Sequence, residues 1–372
     1  MVIKFSAWTY ETFYNSNHPE YVAIRNIIKQ NPQHDFVLVG HGRHYEHFRF
    51  GNTLFYNFGS GNKFRDLFSF SLNFWLPIFL KPSIIVGMGV RDIMPMSLSS
   101  KIIRAKMIPT ITSDIWYEVS PIPKPLQIVF KSLLGASFRT SPAILAISKS
   151  IKKELVEDFK TNPQKVFVYK YKISDIFNPY VSSDLKKKLN PFGPIVLTVC
   201  RISQQKGLQY LVEAALLVVK KFPNVKFVIR AYSSEEKYRA SLLHLINGYN
   251  LQKNFEIIEE FSSYEEIPKY MVAADVFVLP SISEGLPVVI LEAMACGVPV
   301  IASRTSGIPD VIMDKYNGLL VQPRDAQDLA NAIIAVLTNK TLRNSLLHGA
   351  LLTSNLEKQN EFQSLLTKIV FT

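Results

Sequence analysis

VFVLPSISEGLPVVILEAMACGVPVIAS, residues 276–303, reads as one strand–loop–helix–strand unit. Val276–Leu279 is a short, wholly apolar run of the kind that fills a buried parallel strand. Pro287 stands where a proline opens a helix at its first position, because the N–H it lacks is one that a helix start leaves unpaired. Val288–Ala295 then carries the helix, and Val298–Ser303 is a second strand. Two strands joined through a helix in one direction specify a parallel, doubly wound α/β sheet.

Outward from this unit the same alternation recurs. Strand-like runs stand at Ile195–Cys200, Val225–Ile229, Phe255–Ile258 and Leu319–Val321. Helix-like stretches lie between them at Leu208–Lys221, Tyr238–Asn247, Tyr264–Ala273, Ile308–Met313 and Ala326–Thr338, with Asp325 as N-cap of the last. The first half has a similar rhythm, with strands Val2–Phe5, Phe36–Val39, Ile84–Val86, Ile108–Ile111, Ile144–Ala146 and Val166–Tyr169. Helices Glu20–Gln30 and Ser150–Phe159 fall among them. Residues 175–194 hold three prolines and a triple lysine without periodicity. The expected organisation is therefore a first Rossmann-like domain over 1–178, a linker at 179–194 and a second Rossmann-like domain over 195–352. Phe362, Leu365, Leu366 and Ile369 follow helical spacing, and the tail 353–372 is assigned back to the first domain.

The length of 372 residues suits two domains rather than one core, and a composition 48% hydrophobic and 19% charged excludes disordered and fibrous classes. Cys200 and Cys296 stand far apart in apolar runs, which excludes a disulfide framework or a cysteine metal knuckle and favours a reducing, cytoplasmic setting. Residues 1–200 hold 25 Lys+Arg against 13 Asp+Glu, whereas the remainder is balanced at 17 and 17. The excess of positive charge in one half points to an anionic partner, and an anionic membrane surface fits better than nucleic acid, for which no recognition module is present. The opening MVIKFSAWTYETF has no signal-peptide layout. Leu67–Leu80 is uncharged but short of a span and broken by Pro77, so it reads as a buried helix, with an interfacial one as the alternative. Lys124, Lys131 and Arg139 mark a basic amphipathic helix suited to a membrane surface or to a domain face.

Chemistry concentrates at 280–299. The loop before helix 288–295 aims backbone amides at Gly285 and Leu286 out of a helix start, where an anion binds. Glu284 stands at the lip of that start and Glu292 on an otherwise apolar helix face, where a carboxylate is costly without a partner. Ligand hydroxyls satisfy both acids; a helix-terminal charge and a neighbouring pair are the alternative. Ser306 and Gly307 follow the next strand and repeat the arrangement. Arg201 ends the first strand of the second domain, and Lys206 precedes its first helix; together they suit a diphosphate. His41, His44 and His47 are not spaced for one helix face and read as a solvated loop, and no metal site is expected.

VCRISQQKGLQYLVEA, PSISEGLPVVILEAMACGVPVIASRTSGIPDVI and NGLLVQPRDAQDLANAI resemble the glycogen-synthase-like group of GT-B glycosyltransferases, family four, which includes mannosyltransferase-like members. Glu284 and Glu292 match that family's Glu-x7-Glu signature. The resemblance is tight over about 195–340 and looser over 144–159 and 175–179. It implies a central cleft between two domains and transfer of a sugar from a nucleotide-sugar donor (a UDP- or GDP-sugar) with retention of configuration. It also implies no cofactor and no obligatory metal. Under it Arg201 and Lys206 hold the diphosphate, Glu292 the ribose hydroxyls and Glu284 the transferred sugar, with the Gly285 and Leu286 amides at sugar or phosphate. The family's glycine-rich first loop reads Phe5-Ser6-Ala7-Trp8-Thr9 here, and its Gly-x-Gly turn reads Arg230-Ala231-Tyr232. The family's His-Asp pair reads Ser113-Asp114, which makes Asp114 an acceptor-side candidate. The expected enzyme is a hexosyltransferase with a lipid-linked or polysaccharide acceptor, peripheral on the inner membrane face. A degenerate nucleotide-sugar-binding subunit and a sugar-nucleotide epimerase are the alternatives.

Overall fold

The computed structural model describes residues 2–4, 19–42, 46–50, 53–59, 74–88, 90–170, 172–259, 263–356 and 361–371. The chain forms two compact units: Met1–Tyr171 with Asn360–Thr372, and Lys172–Gln359.

The first unit holds an eight-stranded sheet of β1 (Val2–Lys4), β2 (Phe36–Gly42), β3 (Glu46–Phe50), β4 (Thr53–Gly59), β5 (Ile84–Met88), β6 (Lys106–Ile111), β7 (Ile144–Ala146) and β8 (Val166–Val168). Its order is β3-β4-β2-β1-β5-β6-β7-β8. All pairings are parallel except β3 with β4, which the sequence reading missed. Only two residues separate those strands, too few for a crossover, so the pair is antiparallel. His41 and His47, expected in a loop, belong to β2 and β3; His44 lies outside the described residues, as does the Phe5–Thr9 loop. Residues 74–80 are helical, but they are not the buried helix expected: Trp75 is 52% and Phe79 77% exposed.

The second unit is a six-stranded, all-parallel sheet of β9 (Ile195–Ile202), β10 (Lys226–Ser234), β11 (Phe255–Ile258), β12 (Val276–Leu279), β13 (Val300–Ser303) and β14 (Leu319–Val321). Its order, β11-β10-β9-β12-β13-β14, runs one way from β9 to β11 and the other way from β12 to β14. The direction reverses between β9 and β12, and ligands bind outside the carboxyl ends of strands at such a switch point. The four residues of β12 are all buried, which explains their uninterrupted apolar run. Asp325 caps helix Ala326–Thr338 by accepting from the Asp328 amide.

Two expectations change here. The supposed linker packs within the second unit: Ser183 Oγ donates to the Lys269 carbonyl at 2.9 Å and Asn190 Nδ2 to the Asn224 carbonyl at 2.7 Å. These contacts, and the ion pair of Lys186 with Asp275, are polar, which apolar periodicity does not record. The expected helix Ile308–Met313 is one 3-10 turn, Ile308–Asp310. Fully buried Asn317 ends it by accepting from the Met313 amide and donating to the Val311 carbonyl, taking groups that a further turn would use.

Candidate functional site

At the switch point two loops are tied together. β9 leads through a 3-10 turn, Gln204–Lys206, into helix Leu208–Lys221. Gly207 joins them at φ 61°, and a Cβ there would lie 2.2 Å from the Pro280 carbonyl oxygen. Only glycine lets the β9 loop come this close to the chain leaving β12. Gln205 secures the contact: its carbonyl accepts from Ile282 N at 2.8 Å, its Nε2 donates to the Ser283 carbonyl at 3.1 Å, and its Oε1 accepts from exposed Arg201 at 3.3 Å.

Lys206 and Glu284 consequently meet although 78 positions apart. Lys206 Nζ donates to Glu284 Oε1 at 2.6 Å, and Ser281 Oγ donates to the same oxygen at 2.7 Å. Both side chains are largely out of water, 12% and 7% exposed. Burial, the largest single effect, works against the Lys206 ammonium, but the Glu284 charge and hydrogen bond together with Tyr232 and Cys200 lift the lysine pKa above its ordinary value. A buried ion pair is poor value as a stability device, since desolvation offsets most of its attraction.

The third loop follows β13. Thr305 Oγ1 donates to the Ile282 carbonyl at 2.9 Å, and Gly307 N to the Glu284 carbonyl at 3.4 Å. Ser306 adopts φ 44° between them. Ser306 and Gly307 are thereby held against the loop of Glu284, without the helix start expected of that segment. Helix Val288–Ala295 has the bounds read from the sequence, but Pro287 is its cap residue rather than its first helical one, and no side chain caps it. Gly285 and Leu286 lie just before this start. Ser203 Oγ and Ser283 Oγ are buried without a hydrogen-bond partner among the described residues, in the two loops that this site joins.

Glu292 is 5% exposed within that helix. Burial pushes its carboxyl up to about 7, against the opposing effect of a hydrogen bond donated by the Tyr264 phenol. Tyr264 in turn packs edge-on against Phe177, centroids 5.4 Å apart. Burial raises the thiols of Cys200 and Cys296 to about 12, so both free cysteines are poor nucleophiles.

Eight of the nine residues singled out therefore lie in the second unit, seven of them in the loops beyond β9, β12 and β13 or at the end of β9, and Glu292 in the adjoining helix. Asp114 is in the first unit, where it caps helix Ile115–Val119 by accepting from Tyr117 N at 2.9 Å. Gln205 and Ser281 were not singled out. Residues 261–264 follow a strand and by position alone suit the pocket of a nucleotide base; Tyr264 instead meets Glu292, and Phe261 lies outside the described residues. Among the described residues no group of three or more potential metal ligands comes together. Arg230, standing where a small turn residue was expected, is 1% exposed and donates to the Ala231 and Ile258 carbonyls, both at 3.2 Å.

Residues 183–350 match the family described as glycosyl transferases group 1. A Campylobacter jejuni N,N'-diacetylbacillosaminyl-diphospho-undecaprenol alpha-1,3-N-acetylgalactosaminyltransferase is 29% identical over 60% of this chain and 59% of its own length. An Escherichia coli UDP-Gal:alpha-D-GlcNAc-diphosphoundecaprenol alpha-1,3-galactosyltransferase is 26% identical over 63% of each. The chain thus spans little more than half the length of several curated relatives that it matches. Among solved structures, sucrose-phosphate synthase from Thermosynechococcus elongatus superposes with a TM-score of 0.80 at 17% identity, covering 100% of this chain and 98% of that one. Anabaena HepE in complex with UDP and glucose gives a TM-score of 0.75 at 17% identity, covering 100% and 99%. The fold is that of the GT-B enzymes.

Proposed function

We propose, from the premise that residues 183–350 are a group 1 glycosyltransferase domain, that the chain transfers a hexosyl group from a nucleoside-diphosphate sugar to an acceptor hydroxyl with retention of configuration. The observation that carries this reading is the Lys206–Glu284 pair at the β9/β12 switch point, next to Arg201 and the uncapped start of helix 288–295. The solved HepE complexes, which hold UDP, UDP with glucose and UDP-glucose, support a donor of this class.

In the ligand-free protein Lys206 and Glu284 neutralise each other. A diphosphate takes over Lys206 and draws in the Arg201 fork, while Glu284 keeps the Ser281 hydroxyl and turns its freed lone pairs to the sugar hydroxyls. Glu292 accepts from the ribose hydroxyls. As the glycosidic bond breaks, negative charge grows on the departing diphosphate. The two cations and the amides around Gly285, Leu286 and Gly307 are already in place to stabilise it, which is electrostatic catalysis by a fixed environment. Protein cations supply that charge, so the reaction is proposed to run without a metal or other cofactor. Two of these relatives are named for transfer to diphospho-undecaprenol-linked sugars, and a lipid-linked acceptor is the first to try, with Asp114 as a candidate contact.

The test is donor turnover with UDP- and GDP-sugars and a lipid-diphosphate acceptor, with product configuration read by NMR. Arg201→Ala and Lys206→Ala should each raise the barrier by about 2–4 kcal/mol, and a chelator should leave the rate unchanged. A folded protein that neither binds nor hydrolyses any nucleotide sugar overturns the reading. Tight donor binding without turnover points instead to a nucleotide-sugar-binding subunit.

A further inference from the structure

The first unit leaves an apolar surface uncovered. β5, β6 and β7 are successive neighbours in the sheet, so right-handed crossovers put helices Val90–Ile103 and Lys124–Thr140 side by side on one face. The two helices are in contact. Helix 124–140 buries Leu134 and Phe138 in its C-terminal half. Its first ten residues do the opposite: Leu126 is 56%, Ile128 71%, Val129 54% and Leu133 48% exposed. Leu126, Val129 and Leu133 follow helical spacing, which makes a stripe on the solvent side rather than scattered exposure. On the adjoining helix Leu98 and Ile102, one turn apart, are 56% and 58% exposed.

The surroundings of this stripe are basic. Helix 124–140 contains no acidic residue. Lys101, Arg104 and Lys106, at or just beyond the end of the adjoining helix, and Lys124, at the start of helix 124–140, are exposed, within the half of the chain that carries the whole charge excess. An apolar stripe on a cationic helix pair is the pattern of a surface that lies in a lipid headgroup layer. Among the described residues no helix is long and apolar enough to cross a membrane.

We propose that this face docks on an anionic lipid bilayer, with the six aliphatic side chains entering the headgroup–acyl boundary and the four cations meeting lipid phosphates. The proposal rests on the transferase reading only in giving that docking a purpose, access to a lipid-linked acceptor. Its physics needs neither donor nor acceptor.

The experiment is flotation of the full chain, without nucleotide, on phosphatidylcholine vesicles and on vesicles with about one-third phosphatidylglycerol. Binding is expected to the anionic vesicles, to weaken in high salt, and to fall by at least about tenfold in Ile128→Glu/Val129→Glu. Leu126→Ser/Leu133→Ser gives a second, milder variant. Tyr180→Glu/Phe192→Glu, at positions 91% and 85% exposed in the second unit, should bind as wild type. Failure of the wild type to float with anionic vesicles, or unchanged flotation of both stripe variants, overturns the proposal. So does a soluble dimer that the stripe variants dissociate while vesicle binding is absent, because the face is then an interface between copies. Thermal stabilisation by donor nucleotide, measured on the same variants, reports the second-unit site separately and keeps the two readings distinguishable.

Discussion

Glu292 illustrates how one residue couples stability to ligand chemistry. The folded chain holds its proton up to about pH 7, whereas an ordinary glutamate releases it near 4.5. Between those values the folded state binds more protons than the unfolded one, so this group's contribution is full at low pH and is lost as pH rises through about 7. Chemical denaturation from pH 4.5 to 8 should show wild type losing on the order of 2 kcal/mol more than Glu292→Gln. Tyr264→Phe removes the donor that favours the carboxylate and should move the midpoint upward. Donor affinity should change in the opposite sense, rising as the carboxylate forms, since an ionised oxygen accepts from ribose hydroxyls more strongly; calorimetric titration across that range checks it. Glu292 was visible in the sequence as an acid on an apolar helix face. Its phenol partner was not, because that contact spans 28 positions between elements whose packing no local pattern records.

At the scale of elements, the site is made by loop contacts rather than by the helices they lead into. Gly207 is the narrowest of these. In Gly207→Ala both the left-handed backbone and the 2.2 Å approach to Pro280 work against the substitution. The variant should lose about 2–4 kcal/mol in thermal or urea unfolding and, since Lys206 is its neighbour, should bind donor nucleotide more weakly even where still folded. The elements themselves were largely legible. β11, β12, β14 and helices 208–221, 288–295 and 326–338 have the bounds that their apolar runs suggest. The failures have two causes. The 3-10 turn at Ile308, the packed segment around Leu185–Leu189 and the antiparallel β3 are settled by polar side chains taking backbone groups, or by connection length. Hydrophobic periodicity is blind to both.

At the scale of the whole chain, the last helix returns to the first unit. Glu361–Phe371 lies against helix Pro19–Gln30, and Phe362 is fully buried with its ring 4.9 Å from that of Tyr169. Phe362→Ala should cost the first unit about 3–4 kcal/mol while leaving donor-induced stabilisation of the second unit intact, which scanning calorimetry with and without nucleotide would resolve. Read alone, the sequence determined the α/β class, the division into two sheets and the identity of the charged residues in the second, because burial of parallel strands and the charge pattern are written locally. Only the tertiary structure decided that Lys206 meets Glu284, that Tyr264 meets Glu292 and that an aliphatic stripe on helix 124–140 stays uncovered. Each depends on which distant segment comes to lie alongside, and that follows from strand order and loop closure across the folded sheet.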